Sequence, residues 1–109
     1  MNITSSPRLY YDNAAMAEEA FRLLGGQVKS VHAKDILLGE GLTVHLDEVR
    51  PGLGGFDYRA LLSGVCQYCP DAPMMLEHLP DAGEYDQAAD YVRGVAQTLG
   101  IPMPTPEVV

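Results

Sequence analysis

Basic residues are scarce in this sequence: seven lysines and arginines stand against fifteen aspartates and glutamates, a formal charge of −8 with the three histidines neutral. Binding along a phosphate backbone is driven by Lys and Arg displacing condensed counterions, so no nucleic acid is expected as a partner. Long apolar runs are also missing. Nothing approaches the roughly 18 residues that span a bilayer, and Met1 leads into Asn2, Thr4, Ser5 and Ser6 instead of a basic and then apolar signal. No membrane partner is expected, and the expected location is the cytoplasm. Cysteine is limited to Cys66 and Cys69, too few and too close for a disulfide framework, which suits a reducing compartment. There is no internal repeat and no low-complexity segment. What the chain does have is length for one domain, 109 residues, with 47% hydrophobic residues to fill a core.

Three helical stretches alternate with two short apolar segments, the pattern of an α/β unit. The first helix is expected after Asp12 or Asn13, either of which can cap it, with Glu18 and Glu19 early, where the helix dipole favours negative charge. Ala17, Ala20, Phe21 and Leu24 form its apolar stripe, and Gly25-Gly26 ends it. Val28–Lys34 reads as a strand with Val31 and Ala33 on one face and Ser30 and His32 on the other. A glycine-rich loop of about 20 residues is expected from Asp35 to Gly55, with an extended piece at Leu42–Leu46 where apolar and polar residues alternate. Asp57 can cap a second helix through Leu61, Leu62 and Val65, and Pro70-Asp71-Ala72-Pro73 makes a turn. A second strand, Met74–His78, precedes a third helix, Glu84–Leu99, whose stripe is Tyr85, Ala88, Ala89, Val92, Ala96 and Leu99. The tail from Ile101, with three prolines, is expected to be irregular. Two strands joined through a helix should be parallel, and such a sheet needs cover on both faces that two strands alone do not provide.

His32 and Glu77 each lie near the C-terminal end of an expected strand, the edge where ligands gather in α/β proteins. On neighbouring strands about 4.8 Å apart, an imidazole and a carboxylate at matching heights can share a cation at about 2.0 to 2.2 Å. The competing structural reading has His32 bonded to a carbonyl in the core and Glu77 paired with Lys34.

Three segments in order, Val31-His32-Ala33-Lys34-Asp35, Glu48-Val49-Arg50-Pro51-Gly52-Leu53-Gly54 and Met75-Leu76-Glu77-His78-Leu79, resemble the C-terminal part of xylose isomerase-like TIM barrels. That group contains sugar phosphate isomerases and epimerases and, more distantly, endonuclease IV-type repair enzymes. The resemblance runs from Tyr10 to about Ile101. It implies that residues 1–109 are the C-terminal part of such a domain, a partial (β/α)8 barrel whose sixth helix and seventh and eighth strands are present. It further implies that His32 and Glu77 bind a divalent metal ion (manganese, zinc, cobalt or magnesium). In the family a glutamate in the position of Glu77 also serves as acid or base, in proton abstraction beside a sugar carbonyl with the ion stabilising an enediolate. Arg50 and Lys34 would then meet substrate oxygens or a phosphate, with a surface charge as the competing reading for each.

The departures from the family are as informative. A complete barrel needs at least about 200 residues, and the strands that carry two further ligands, a glutamate and an aspartate, are absent from this sequence. Met1-Asn2-Ile3-Thr4 resembles the segment just beyond the missing aspartate, so a truncated gene, a split gene or a misassigned start is compatible with the pattern. The expected function is therefore a sugar or sugar phosphate isomerase or epimerase portion, inactive alone, which requires a complementing N-terminal chain. The alternatives are a non-catalytic small α/β domain that self-associates through its open strand edges, or a fragment of an endonuclease IV-like metal enzyme. His45 matches a metal ligand only in the endonuclease branch and reads as a loop residue. Asp35 can close the loop by accepting backbone N–H groups, His78 should face the helices as a buried, hydrogen-bonded histidine, Cys66 and Cys69 read as packing residues, and Met74 and Met75 read as strand core.

Overall fold

In a computed structural model that describes residues 12–38 and 46–103, the chain is a mixed α/β protein of three helices and two small sheets. The helices are α1 (Asn13–Leu24), α2 (Tyr58–Tyr68) and α3 (Ala82–Thr98), and the strands are β1 (Val31–Ala33), β2 (Asp35–Leu38), β3 (Leu46–Val49) and β4 (Met74–Leu76). The expected extended residues Leu42–Val44, together with His45, Met1–Thr4 and the end of the proline-containing tail, lie outside the described residues.

β1 and β4 pair in parallel, with Val31 opposite Met74, His32 opposite Met75 and Ala33 opposite Leu76. The strand expected over Val28–Lys34 is shorter because its partner is short: Val31 donates to Pro73 O at 2.8 Å, and the turn that ends at Pro73 offers nothing further back to pair with. Val31 and Ala33 face the helices, and Ala33 is buried. In place of the long irregular loop the chain forms an antiparallel hairpin, β2 with β3, in which Asp35 pairs with Val49 and Leu38 with Leu46.

α2 begins as the sequence indicates, with the Asp57 carboxylate accepting from Ala60 N at 2.9 Å. α3 starts two residues earlier than expected, at Ala82, because Asp81 caps it by accepting from Glu84 N at 2.9 Å. The start of α1 corrects the expected capping. Asp12 makes no side-chain cap, and Asn13, buried in the first turn, is turned onto the segment before α2: its Nδ2 donates to Gly55 O at 2.9 Å and its Oδ1 accepts from Asp57 N at 2.6 Å. Glu18 and Glu19 lie beyond the first turn, where the dipole has no purchase; Glu19 meets Arg22 at 3.6 Å.

The core joins Phe21 of α1, Ala33 of β1, Tyr58, Leu61 and Leu62 of α2, Cys69, and Val92 and Ala96 of α3. Each large side chain buried here contributes about 1.5 to 3 kcal/mol. α1 and α2 approach closely because Gly64 has no Cβ, which would run into the Phe21 ring, and Phe21 stacks on Tyr68 with centroids 6.3 Å apart. Cys69 is buried in this core while Cys66 is exposed, so the packing role holds for one of the pair. Met75 is 42% exposed on the outer side of β4, against the expectation of a core residue; Met74 packs on the core.

Asp35 fixes the hairpin to the rest. Its fully buried carboxylate accepts from four backbone amides: Ile36 at 2.9 Å, Gly52 at 3.0 Å, Gly54 at 3.1 Å and Phe56 at 2.9 Å. Gly52 has φ +102°, and a Cβ at Gly54 would strike the carbonyl of Ile36 and the Asp35 carboxylate. The Pro-Gly-x-Gly segment is therefore shaped to wrap a carboxylate. Tyr58 completes the junction by donating its hydroxyl to Lys34 O at 2.7 Å, edge-on to Phe56 and Tyr91.

Candidate functional site

The parallel register sets His32 and Glu77 beside each other at the C-terminal edge of the β1–β4 pair. Because alternation puts Ala33 into the core, His32 projects from the opposite face. Glu77 follows the last residue of β4. Its Oε2 lies 3.0 Å from His32 Nδ1, with the side chains 48% and 29% exposed. Neither competing structural reading applies: His32 is not a core histidine, and Glu77 is paired with His32, not with Lys34. The hydrogen bond with His32 holds the Glu77 carboxyl below the ordinary carboxylate range, against an opposing effect of desolvation, and the neighbouring His32, His78 and Lys34 add to the lowering.

Two residues that sequence reasoning did not assign to the site extend it. β4 stops at Leu76, and His78 takes a left-handed backbone conformation, φ +63°. This turn breaks the alternation that would have sent His78 toward the helices. Its side chain is exposed instead, with Nδ1 2.9 Å from Glu48 Oε2. The other oxygen of Glu48, on β3, lies 3.5 Å from Lys34 Nζ. Lys34, Glu48 and His78 thus tie the hairpin to the end of the parallel pair. The only hint in the sequence is that Glu48 and His78 stand in the same two segments as Arg50 and Glu77.

His32, Lys34 and Glu77 stand at the wall of a cavity of about 600 Å³ whose floor is the apolar side of α1. Arg50 does not line it. Its guanidinium is half-buried and engaged with Glu84 at 3.0 Å, which fastens the Pro-Gly segment to the first turn of α3. The structure therefore brings together three of the four residues singled out from the sequence. Asp35 serves the loop-closing role described above.

A shared divalent ion is compatible with the donors present, up to a limit. His32 and Glu77 offer an imidazole nitrogen and a carboxylate oxygen, donor types that a divalent ion takes, but the facing atoms are hydrogen-bonded to each other at 3.0 Å, a contact that ligation would replace. Among the described residues no group of three or more His, Cys, Asp or Glu side chains is arranged to hold a metal ion. The two donors account for half or less of a coordination shell. No described helix is long and apolar enough to cross a membrane. Comparison with known proteins returns no match, whether to a family model, a curated protein or a solved structure.

Proposed function

We propose that the chain is the C-terminal portion of a divalent-metal-dependent sugar or sugar phosphate isomerase or epimerase, with β1 and β4 as adjacent strands of a (β/α)8 barrel. The observation that carries this reading is the 3.0 Å approach of His32 to Glu77 at the C-terminal edge of a parallel strand pair, the edge at which barrel enzymes place their chemistry. His32 and Glu77 are the metal ligands that this chain supplies. The remaining donors come from strands outside these residues.

When bound, the ion polarises the oxygens of a sugar carbonyl and its neighbouring hydroxyl. Glu77, held as a carboxylate by its surroundings, is ready to ligate without first losing a proton. Its use as the proton carrier requires a pKa closer to neutrality than the arrangement with His32 provides, so that role depends on His32 being drawn away from the carboxylate. Lys34, half-buried beside the cavity and shared with Glu48, is placed to donate to a substrate hydroxyl or phosphate oxygen. For Arg50 to do so it must leave Glu84.

The test is manganese titration of the 109-residue chain by calorimetry, followed by an assay for ketose turnover. The expected result is weak binding that is lost in His32→Ala and in Glu77→Gln, with no turnover. Binding unaffected by both substitutions, or turnover by this chain alone, overturns the reading.

A further inference from the structure

We infer that the substrate of this site is an unphosphorylated sugar, and that Glu48 is the residue that shuts a phosphate out. The inference rests on the metal-dependent reading above and narrows its substrate class. With the ion at the carbonyl end of a sugar, a phosphate at the other end needs cations or free amides of its own. In barrel enzymes these commonly come from the loops after the last two strands and from a helix N-terminus. On that reading the loops in question are the segments that follow β1 and β4, and this chain carries both.

Among the described residues, each group in those segments that could receive an anion already holds a carboxylate. The amides of Gly52, Gly54 and Phe56 converge as an anion-binding nest does, and Asp35 fills it. The first turn of α2 gives the Ala60 amide to Asp57, and that of α3 gives the Glu84 amide to Asp81. Arg50 is engaged by Glu84 at 3.0 Å. Lys34, the one lysine or arginine among the residues that line the cavity, faces Glu48 at 3.5 Å, and the second oxygen of Glu48 lies 2.9 Å from His78 Nδ1. The fixed cations Lys34 and Arg50 thus stand against Glu48, Glu77, Glu84 and Asp81. A phosphate monoester brings a charge of about −1.5 to −2, and to reach Lys34 it must lie against the Glu48 carboxylate, where like charges repel. A sugar hydroxyl both donates and accepts, so it can bridge Lys34 and Glu48 without parting them.

The test is a titration of the full isotope-labelled chain at neutral pH, without added metal, with inorganic phosphate and with fructose 6-phosphate. It is followed at the amides of Lys34, Glu48 and His78. The parent protein should show no saturable shift with either probe. Glu48→Gln keeps the side chain's shape and removes its charge, and it should bind both probes with an affinity at least about tenfold above the parent's limit. Lys34→Ala added to that variant should abolish the gain, which a mere loosening of the hairpin would not require. Glu48→Ala is the second variant, used if Glu48→Gln does not give the amide spectrum of a folded protein. Saturable binding of either probe by the parent at these amides overturns the inference, and so does a folded Glu48 variant that gains nothing. Neither result bears on the manganese titration, whose failure removes the metal-dependent reading by itself.

Discussion

Asp35, the first residue of β2, and Glu77, just past the end of β4, carry the same chemical group in opposite surroundings. Asp35 is fully buried and receives four backbone amides. Gly52 and Gly54 let the backbone bend and approach it. Glu77 is part-exposed, has one imidazole partner at 3.0 Å and opens on a cavity. A carboxylate whose acceptor sites are all filled by the backbone holds a loop in place. One with an exchangeable partner and room beside it is free to meet a ligand. Burial and partner count, more than residue type, separate scaffold from site.

The comparison fails first at Asp35 if it fails at all. Asp35→Ala takes the acceptor from four backbone amides, that of Ile36 buried and those of Gly52, Gly54 and Phe56 part-buried, and it should destabilise the fold by about 3 kcal/mol or more in urea denaturation. A loss no larger than that of an ordinary surface substitution would remove the clamp from the account. Gly54→Ala attacks the same feature from the loop side by forcing a methyl into the Ile36 carbonyl and the Asp35 carboxylate. The expected cost is about 2 kcal/mol by the same measurement. Asp57→Ala, which deletes only the cap of α2, should cost about 1 kcal/mol, and a larger effect than that of Gly54→Ala would invert the ranking.

At the open carboxylate the effect is smaller and depends on pH. Glu77 has a folded-state pKa below its ordinary value of 4.5. Its contribution to stability is therefore present in full above that ordinary value and lost as the pH falls through the lowered one. Urea midpoints of the parent protein and Glu77→Gln should differ slightly at neutral pH and converge in acid. Divergence on acidification would mean that the sign of the interaction is wrong.

How much of this was legible in the sequence depended on whether the signal was local. The Asp57 cap and the adjacency of the two strands follow from residues close in the chain or from one rule of connectivity, and each is present; α1 ends at Leu24 as Gly25-Gly26 indicates, but the chain runs on through Gly25–Gln27 as a 3-10 turn instead of stopping. The Asp81 cap was legible too, since Asp-Ala-Gly-Glu carries the spacing of a capping box, although periodicity alone placed the start at Glu84. The hairpin was not. Leu46-Asp47-Glu48-Val49 lacks alternation because both Asp47 and Glu48 are exposed, and Asp35-Ile36-Leu37-Leu38 opens on a charge whose burial makes sense only with Gly52, Gly54 and Phe56 folded around it. Asn13 misled for the same reason: a residue suited to a cap is used instead to bind residues more than 40 positions away. His78 misled because a single left-handed residue ends the alternation that a longer strand would have kept. At the site, His32, Glu77 and Lys34 could be named from strand ends, whereas Glu48 entered only through the hairpin register.

The most direct test of the site is paramagnetic line broadening by manganese in the amide spectrum of the isotope-labelled chain. The account predicts that His32, Ala33 and Leu76–His78 broaden first, that Gly52, Gly54 and Phe56 around Asp35 follow only at higher metal, and that His32→Ala and Glu77→Gln each abolish the selectivity. Broadening that starts elsewhere, or that the two substitutions leave unchanged, would contradict the assignment of these residues as metal ligands.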